Sequence, residues 1–523
     1  MVAPAADYSL YYVTGREQTP SGIDFYVSLE EACKGGVTIV QLREKKLTTK
    51  EYLTIGRKCK DICDKYSVPL IINDRVDVAL ALRCGLHVGQ DDMPASMARS
   101  LIGPDQLLGV SINTEAEMLE ALKEGVVDYV GIGPAYTTQS KTNLSPVLGT
   151  RGVSRVLGVL GKSDIKAVVI GGVSETTIPN VLLQCAAPLD EGYRSLDGLA
   201  VVSAIAGSLE PQAVARRILA LFRAGRSSPL PLDAVALSPD SNAARALEVV
   251  EMACALLVKL RAGPNPLVHH ITNQVVMNDT ANLTLALGGS PMMTSLTAEV
   301  AELSSRIGAL VLNFGTLGVS QVEAQMTAGL AAKKNGKPIV FDPVAVGATE
   351  YRKTNSAHLL SSIHMNIIKG NAAEIGALTG SSEVQTRGVD SVGSGFNDPK
   401  NVVQALARRE KLTIAMSGVT DYISDGQTTF AIDNGSHFQG VITGSGCMAT
   451  SSIAVFAAVS DPKDPHAYVI AAVAGLLAIN VAAEVAAARS DVKGPNSFRM
   501  ALIDEAYNLT PEVLREKAKL RVI

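Results

Sequence analysis

Residues 38–45 read Thr-Ile-Val-Gln-Leu-Arg-Glu-Lys, a short apolar run that closes on Gln41, Arg43 and Lys45. A β-branched run of this length, bounded by polar residues, predicts a strand whose C-terminal end carries charge. The same pattern recurs in Leu10–Val13, Pro69–Ile72, Leu86–Val88, Leu107–Val110, Tyr129–Ile132, Ala167–Ile170 and Leu199–Val202, each followed by a helix-like segment. Eight such units predict a (β/α)8 TIM barrel. Asn73, Asp74, Asp92, Ser111, Thr138, Lys141 and Ser203 also fall at or just past the run ends. In a barrel those ends converge on one face, where active sites lie. Any one of them reads equally well as a turn former; their accumulation on one face points to a site.

Outward from the barrel, periodicity fails between Phe222 and Ala243, where Ser, Pro and Gly accumulate. That composition predicts a connector, so the expected division is 1–228, a linker 229–243, and a second domain 244–523. The second half mixes helices with runs such as Ala309–Asn313, Pro338–Phe341, Ile367–Lys369 and Thr413–Met416, each ending near Gly, Asn, Asp or Ser. An α/β layered domain with a ligand cleft at one sheet edge follows. With 523 residues, 47% of them apolar, the chain can bury two cores. A net charge of −4 gives no sign of a nucleic-acid surface or a membrane patch. Seven cysteines, an odd number, suit a reducing, cytoplasmic compartment. The apolar run Tyr468–Ala483 is interrupted by Asn480 and reads as a buried helix rather than a membrane span.

The residue types suggest phosphate chemistry in both halves. Asp74 and Asp92 lie on neighbouring barrel strands and offer hard oxygen ligands to Mg²⁺. Arg43, Lys45 and Lys141 supply positive charge for a diphosphate. Gly171-Gly172 and Val202-Ser203 follow the last two strands, where barrels commonly hold a phosphate on backbone N–H groups. In the second half, residues 443–447 read Thr-Gly-Ser-Gly-Cys and open into an alanine-rich helix. Gly444, Ser445 and Gly446 would then present N–H donors to an anion. Cys447 stands at the positive end of that helix, which favours a thiolate with a pKa drawn toward neutrality. Such a thiolate is a candidate base, and a small packing residue is the alternative.

The motifs also carry a resemblance. Gln41-Leu42-Arg43-Glu44-Lys45, Ile72-Asn73-Asp74-Arg75, His87-Val88-Gly89-Gln90-Asp91-Asp92, Gly131-Ile132-Gly133-Pro134 and Thr138-Gln139-Ser140-Lys141 resemble thiamine-phosphate synthases. The resemblance implies joining a hydroxymethylpyrimidine diphosphate to a thiazole phosphate, with diphosphate leaving first. It implies that Gln41, Arg43, Lys45, Asn73, Ser111 and Lys141 hold the pyrimidine diphosphate, with Ser111 and Lys141 at the reacting centre. Asp74 and Asp92 would hold Mg²⁺, and Thr138, Ser140, Gly172, Val202 and Ser203 the thiazole phosphate. Residues 185–197 form a longer segment than the family's short turn.

Pro266–Asn273, Asn313-Phe314-Gly315-Thr316, Asp342-Pro343-Val344, Lys369–Glu374, Ser417–Asp421 and Thr443–Cys447 resemble hydroxyethylthiazole kinases of the ribokinase-like superfamily. That likeness implies transfer of the ATP γ-phosphate to a thiazole alcohol. Lys369, Ser417, Gly444, Ser445 and Gly446 would meet ATP, with Asn273, Met277 and Cys447 at the thiazole. Asp342 and Glu374 would hold Mg²⁺. Lys369 replaces the more usual arginine, keeping the charge and losing the fork. Met277 also reads as ordinary core, and neither His269 nor His270 need face substrate. A pyrimidine-alcohol kinase is the nearest rival for this half. The resemblance further implies a homo-oligomer, a trimer or hexamer.

Overall fold

The computed structural model describes residues 6–136, 147–190, 192–227, 241–381, 383, 385–387, 390–392 and 395–523. It divides into two compact units, Met1–Pro229 and Leu230–Ile523. The expected connector, 229–243, falls largely outside the described residues. Its last two residues already belong to a helix, Asn242–Ala262, capped by Ser241.

The first unit is a closed barrel of eight parallel strands: Leu10–Thr14, Ile39–Leu42, Leu70–Asn73, Gly85–Val88, Leu108–Ile112, Tyr129–Ile132, Lys166–Val169 and Gly198–Val201. Each expected run is there, displaced by a residue or so. Sidedness follows the two-residue period of a strand. Leu10, Tyr12, Val40 and Leu42 face the helices, whereas Tyr11, Val13, Ile39, Ile71, Tyr129 and Val168 fill the barrel. Continuing that period along each strand brings Gln41, Asn73, His87 and Ser111 inward, near the C-terminal rim. The longer segment 185–197 contains a small hairpin, Ala187–Pro188 with Tyr193–Arg194. Arg194 fastens it by donating to the Ile165 carbonyl and to Asp197, both at 2.9 Å. Cys59 and Cys63 lie buried on the helix Thr49–Lys65, and all seven cysteines are free.

The second unit carries a nine-stranded sheet. From one edge, Ser290–Met292, Leu267–Ile271, Ala309–Asn313, Ile339–Asp342, Ile367–Asn371 and Thr413–Ser417 run parallel. Asp421–Ser424, Thr429–Ile432 and Leu520–Val522 continue it antiparallel. Register aligns Asn313 with Asp342 and Asn371 with Ser417, so the predicted polar residues reach one sheet end together. Helix Ala467–Ala488 contains the expected apolar run. It meets the length and composition of a membrane span, yet 89% of its most apolar window is buried inside the protein. It packs against Ser445–Ala457, Asn242–Ala262 and Pro495–Asn508, which is why it is apolar apart from Asn480 and Glu484.

Candidate active sites

In the barrel, Lys45, Asp74 and Asp92 come together from three successive strand ends. Lys45 Nζ donates to Asp74 Oδ2 at 2.9 Å. Asp92 reaches back over its own loop to accept from the Gly89 N–H at 2.7 Å, and it also hydrogen-bonds Asp74. Asp74 holds φ at +63°, a left-handed conformation rare outside glycine, and its N–H donates to the His87 carbonyl at 2.8 Å. Strain of this kind persists where surrounding structure overrides it, commonly at functional sites. Burial pushes Asp74 up, but Lys45 and the shared hydrogen bond with Asp92 outweigh it and hold this carboxyl below its ordinary value. Asp92 moves the other way, raised by burial and by Asp74. The pair therefore shares charge unequally, as neighbouring carboxylates do.

Of the other predicted barrel residues, Arg43 is half-buried at the mouth and Asn73 is buried. Gln41 is buried with its amide nitrogen 2.8 Å from Tyr11 Oη, and Ser111 is half-buried with its Oγ 3.0 Å from His87 Nε2. Gly171 and Gly172 both take positive φ after the seventh strand, where a Cβ on Gly171 would meet Pro134 at 2.6 Å. Val202 precedes the short helix Ser203–Ala206. Thr138, Ser140 and Lys141 lie outside the described residues.

The second site is buried. Asp342 is buried and accepts from Thr450 Oγ1 at 2.7 Å and Asn313 Nδ2 at 2.9 Å. Lys369 Nζ lies beneath Gly446, where an added Cβ would sit 2.9 Å from it. Glycine at 446 thus lets the helix terminus close over the ammonium. Gly444, at φ +82°, makes the turn into helix Ser445–Ala457. Burial would lower Lys369, but Asp342 and Glu374 outweigh it, so the ammonium keeps its charge. Glu374 is pushed up to about 7 by burial and by Asp342. Its oxygens accept from the Asn371 and Ala345 N–H groups at 2.8 and 3.0 Å, the first as half of a capping box. Ser417 ends the neighbouring strand. Behind it Asp421 receives the Gly418 N–H at 2.9 Å and Asn480 Nδ2 at 2.8 Å.

Cys447 stands at the helix mouth, but the expected drop in its pKa does not occur. Burial and the adjacent Asp342 carboxylate push the thiol up to about 12, outweighing Lys369 and the donors Asn313 and Asn273. Those amides reach Sγ at 3.3 and 3.5 Å. Burial and Asp342 thus favour the thiol over the thiolate at Cys447. Met277 is half-buried in the first turn of Met277–Leu287. His269 and His270 are core residues: the first meets the Thr294 carbonyl at 2.9 Å, and burial pulls the second down to about 3. Sequence reasoning gave no role to Asn313 or Thr450. Thr450 was findable, since it lies one helical turn beyond Gly446 and so on the same face.

Among the described residues no group of three or more His, Cys, Asp or Glu is arranged to hold a metal ion. Each site offers two carboxylates instead. Mg²⁺ usually takes one or two carboxylates and completes its shell with waters and substrate phosphates, so both donor sets fit it.

The family described as "Thiamine monophosphate synthase" matches residues 10–205, and the "Hydroxyethylthiazole kinase family" matches residues 257–512. A "Probable thiamine biosynthetic bifunctional enzyme" of Schizosaccharomyces pombe is 37% identical over 98% of both chains. The "Thiamine biosynthetic bifunctional enzyme" of Saccharomyces cerevisiae is 35% identical over 98% of this chain and 97% of its own. A "Hydroxyethylthiazole kinase" of Desulforudis audaxviator is 46% identical, covering 50% of this chain and 93% of its own. Matched in each half by a different enzyme family and aligned end to end with fungal fusions, the chain belongs to the family of bifunctional thiamine biosynthetic enzymes.

Proposed function

We infer that this chain performs two successive transferase steps. Its second half is a hydroxyethylthiazole kinase that phosphorylates 4-methyl-5-(2-hydroxyethyl)thiazole with ATP. Its first half is a thiamine-phosphate synthase that joins the resulting thiazole phosphate to 4-amino-5-hydroxymethyl-2-methylpyrimidine diphosphate, releasing diphosphate. The observation that carries this reading is the pairing of a lysine with two carboxylates at the strand C-termini of each half.

In the kinase, the substrate oxygen forms a bond to the γ-phosphorus as the bond to ADP breaks. Lys369 and the N–H groups of Gly444–Cys447 face the migrating group and offset its charge. Asp342, held by Thr450 and Asn313 beside the Cys447 thiol, takes up the proton that the substrate hydroxyl releases. Asn273 and Met277 border the thiazole, and Ser417 the nucleotide. In the synthase, the carbon–oxygen bond to diphosphate breaks before the thiazole nitrogen attacks that carbon. Lys45, Arg43 and Lys141 take up the leaving charge, with Gln41, Asn73 and Ser111 around the pyrimidine. Thr138, Ser140, Gly172, Val202 and Ser203 hold the thiazole phosphate. Asp74 with Asp92, and Asp342 with Glu374, would hold Mg²⁺, which would supply positive charge against the substrate phosphates.

The kinase half assembles as a trimer or hexamer. A cytoplasmic location agrees with seven free cysteines. The test supplies pyrimidine diphosphate and Mg²⁺ with either the thiazole alcohol plus ATP or thiazole phosphate alone. Thiamine phosphate forms in both, with ATP needed only for the alcohol. Product from thiazole phosphate alone would leave the kinase assignment without support.

A further inference from the structure

The interior of the barrel holds a run of hydrogen bonds that its packing does not require. Barrel cores are ordinarily filled by branched aliphatic side chains. Here Gln41 Nε2 donates to Tyr11 Oη at 2.8 Å, and Tyr11 Oη meets Tyr129 Oη at 2.6 Å. Tyr129 Oη then lies 3.0 Å from His87 Nδ1, and His87 Nε2 lies 3.0 Å from Ser111 Oγ. Tyr11 and Tyr129 are almost fully buried, so each hydroxyl must find its partners inside the protein. Space has been cleared for them. A Cβ on Gly109 would stand 2.0 Å from the Tyr129 ring, and Gly131 faces His87 at 3.4 Å.

One orientation of the run satisfies every group in it. The Gln41 amide donates to the Tyr11 oxygen. With Tyr11 donating to Tyr129 and Tyr129 to His87 Nδ1, His87 is the neutral tautomer carrying its proton on Nε2 and donates to Ser111 Oγ. In that orientation the Ser111 oxygen accepts from behind, and its hydrogen is left to point outward.

We propose that Tyr11, Tyr129 and His87 are positioning residues for the synthase reaction, holding the Gln41 amide in one orientation and presenting Ser111 as a hydrogen-bond donor to the anionic substrate. This rests on the reading that Gln41 and Ser111 border the pyrimidine diphosphate. A donor suits a reaction in which negative charge builds on the departing group, because a bond that strengthens in the transition state raises turnover more than affinity.

The test is Tyr129→Phe in the full chain, with Tyr11→Phe as a second break in the same run. Each keeps the ring and removes one hydroxyl. Kinase turnover of the same preparation serves as the internal standard, and barrel melting is followed by circular dichroism. The synthase kcat is expected to fall roughly tenfold while KM stays within about threefold. Combined with Ser111→Ala, Tyr129→Phe is expected to add nothing, since both remove the same donor. Unchanged kcat in both tyrosine variants would overturn the proposal. So would losses that multiply with Ser111→Ala, or a Ser111→Ala variant as active as the parent. A parent chain that makes no thiamine phosphate from the two phosphorylated substrates would instead sink the synthase reading itself.

Discussion

The barrel and the kinase half each set a lysine beside two carboxylates, in opposite surroundings. Lys45 is half-exposed and Asp74 lies at an open mouth, so water shares in stabilising their charge. Lys369, Asp342 and Glu374 are buried at 3%, 1% and 4% exposure, and there only protein groups can do so. Charge at the open site is held ready by a neighbouring ion. At the closed site it is balanced against protonation, which leaves Glu374 near 7. Lowering charge density therefore costs the open site little and the closed site its fold.

The largest effect expected from breaking this contrast is in the kinase. Asp342→Ala leaves Lys369 buried beside one fewer anion and costs the second unit about 3–5 kcal/mol, read by chemical denaturation. Asp342→Asn keeps the hydrogen bonds and isolates the chemistry: kinase kcat falls roughly 10³-fold while synthase turnover is untouched. Next comes Asp74→Ala, which lowers synthase turnover about 10²-fold and leaves kinase turnover unchanged. Loss of both activities from either change would end the two-site reading.

Cys447→Ala comes third. With the thiol near 12, a change of about tenfold or less in kinase kcat is expected, and no acid limb in its pH profile should vanish. A loss of 10³-fold would return Cys447 to the role of principal base. The smallest effect is on pH dependence. In the fold Glu374 keeps a proton to about 7, whereas the unfolded chain releases it near 4.5. The folded state thus binds more protons between those values, and metal-free stability of the second unit falls as pH rises from about 4.5 to about 7. Asp421, raised to about 6 by burial, adds to the same slope. Melting in chelator across that range checks the sign, and Mg²⁺ with ATP should flatten it by binding the charged form.

The two sites were not equally legible in the sequence. Strand-end residues such as Asp74 and Asp342 could be found because a period-two run places them there whatever else the chain does. The barrel itself followed from the same spacing. The charge state of Cys447 did not follow, since its helix position was visible and the Asp342 beside it, 105 residues earlier in the chain, was not. Tyr11 and Tyr129 read as ordinary core aromatics; only closure of the barrel reveals that their hydroxyls meet. Thr450 was within reach of the same helical period that places Gly446, one turn earlier on the same face.

Helix Ala467–Ala488 sets a condition on how the chain is made. Its partners Asn242–Ala262 and Ser445–Ala457 leave the ribosome before it, but Pro495–Asn508 and the short helix Pro511–Lys517 follow. Until those last segments emerge, one side of a span-length apolar helix is uncovered, in a form that membrane-insertion machinery and chaperones both recognise. Chains stopped between 489 and 494 would carry a finished synthase barrel and an unsheltered apolar helix, so premature termination there should be met by degradation rather than by a surviving half-enzyme.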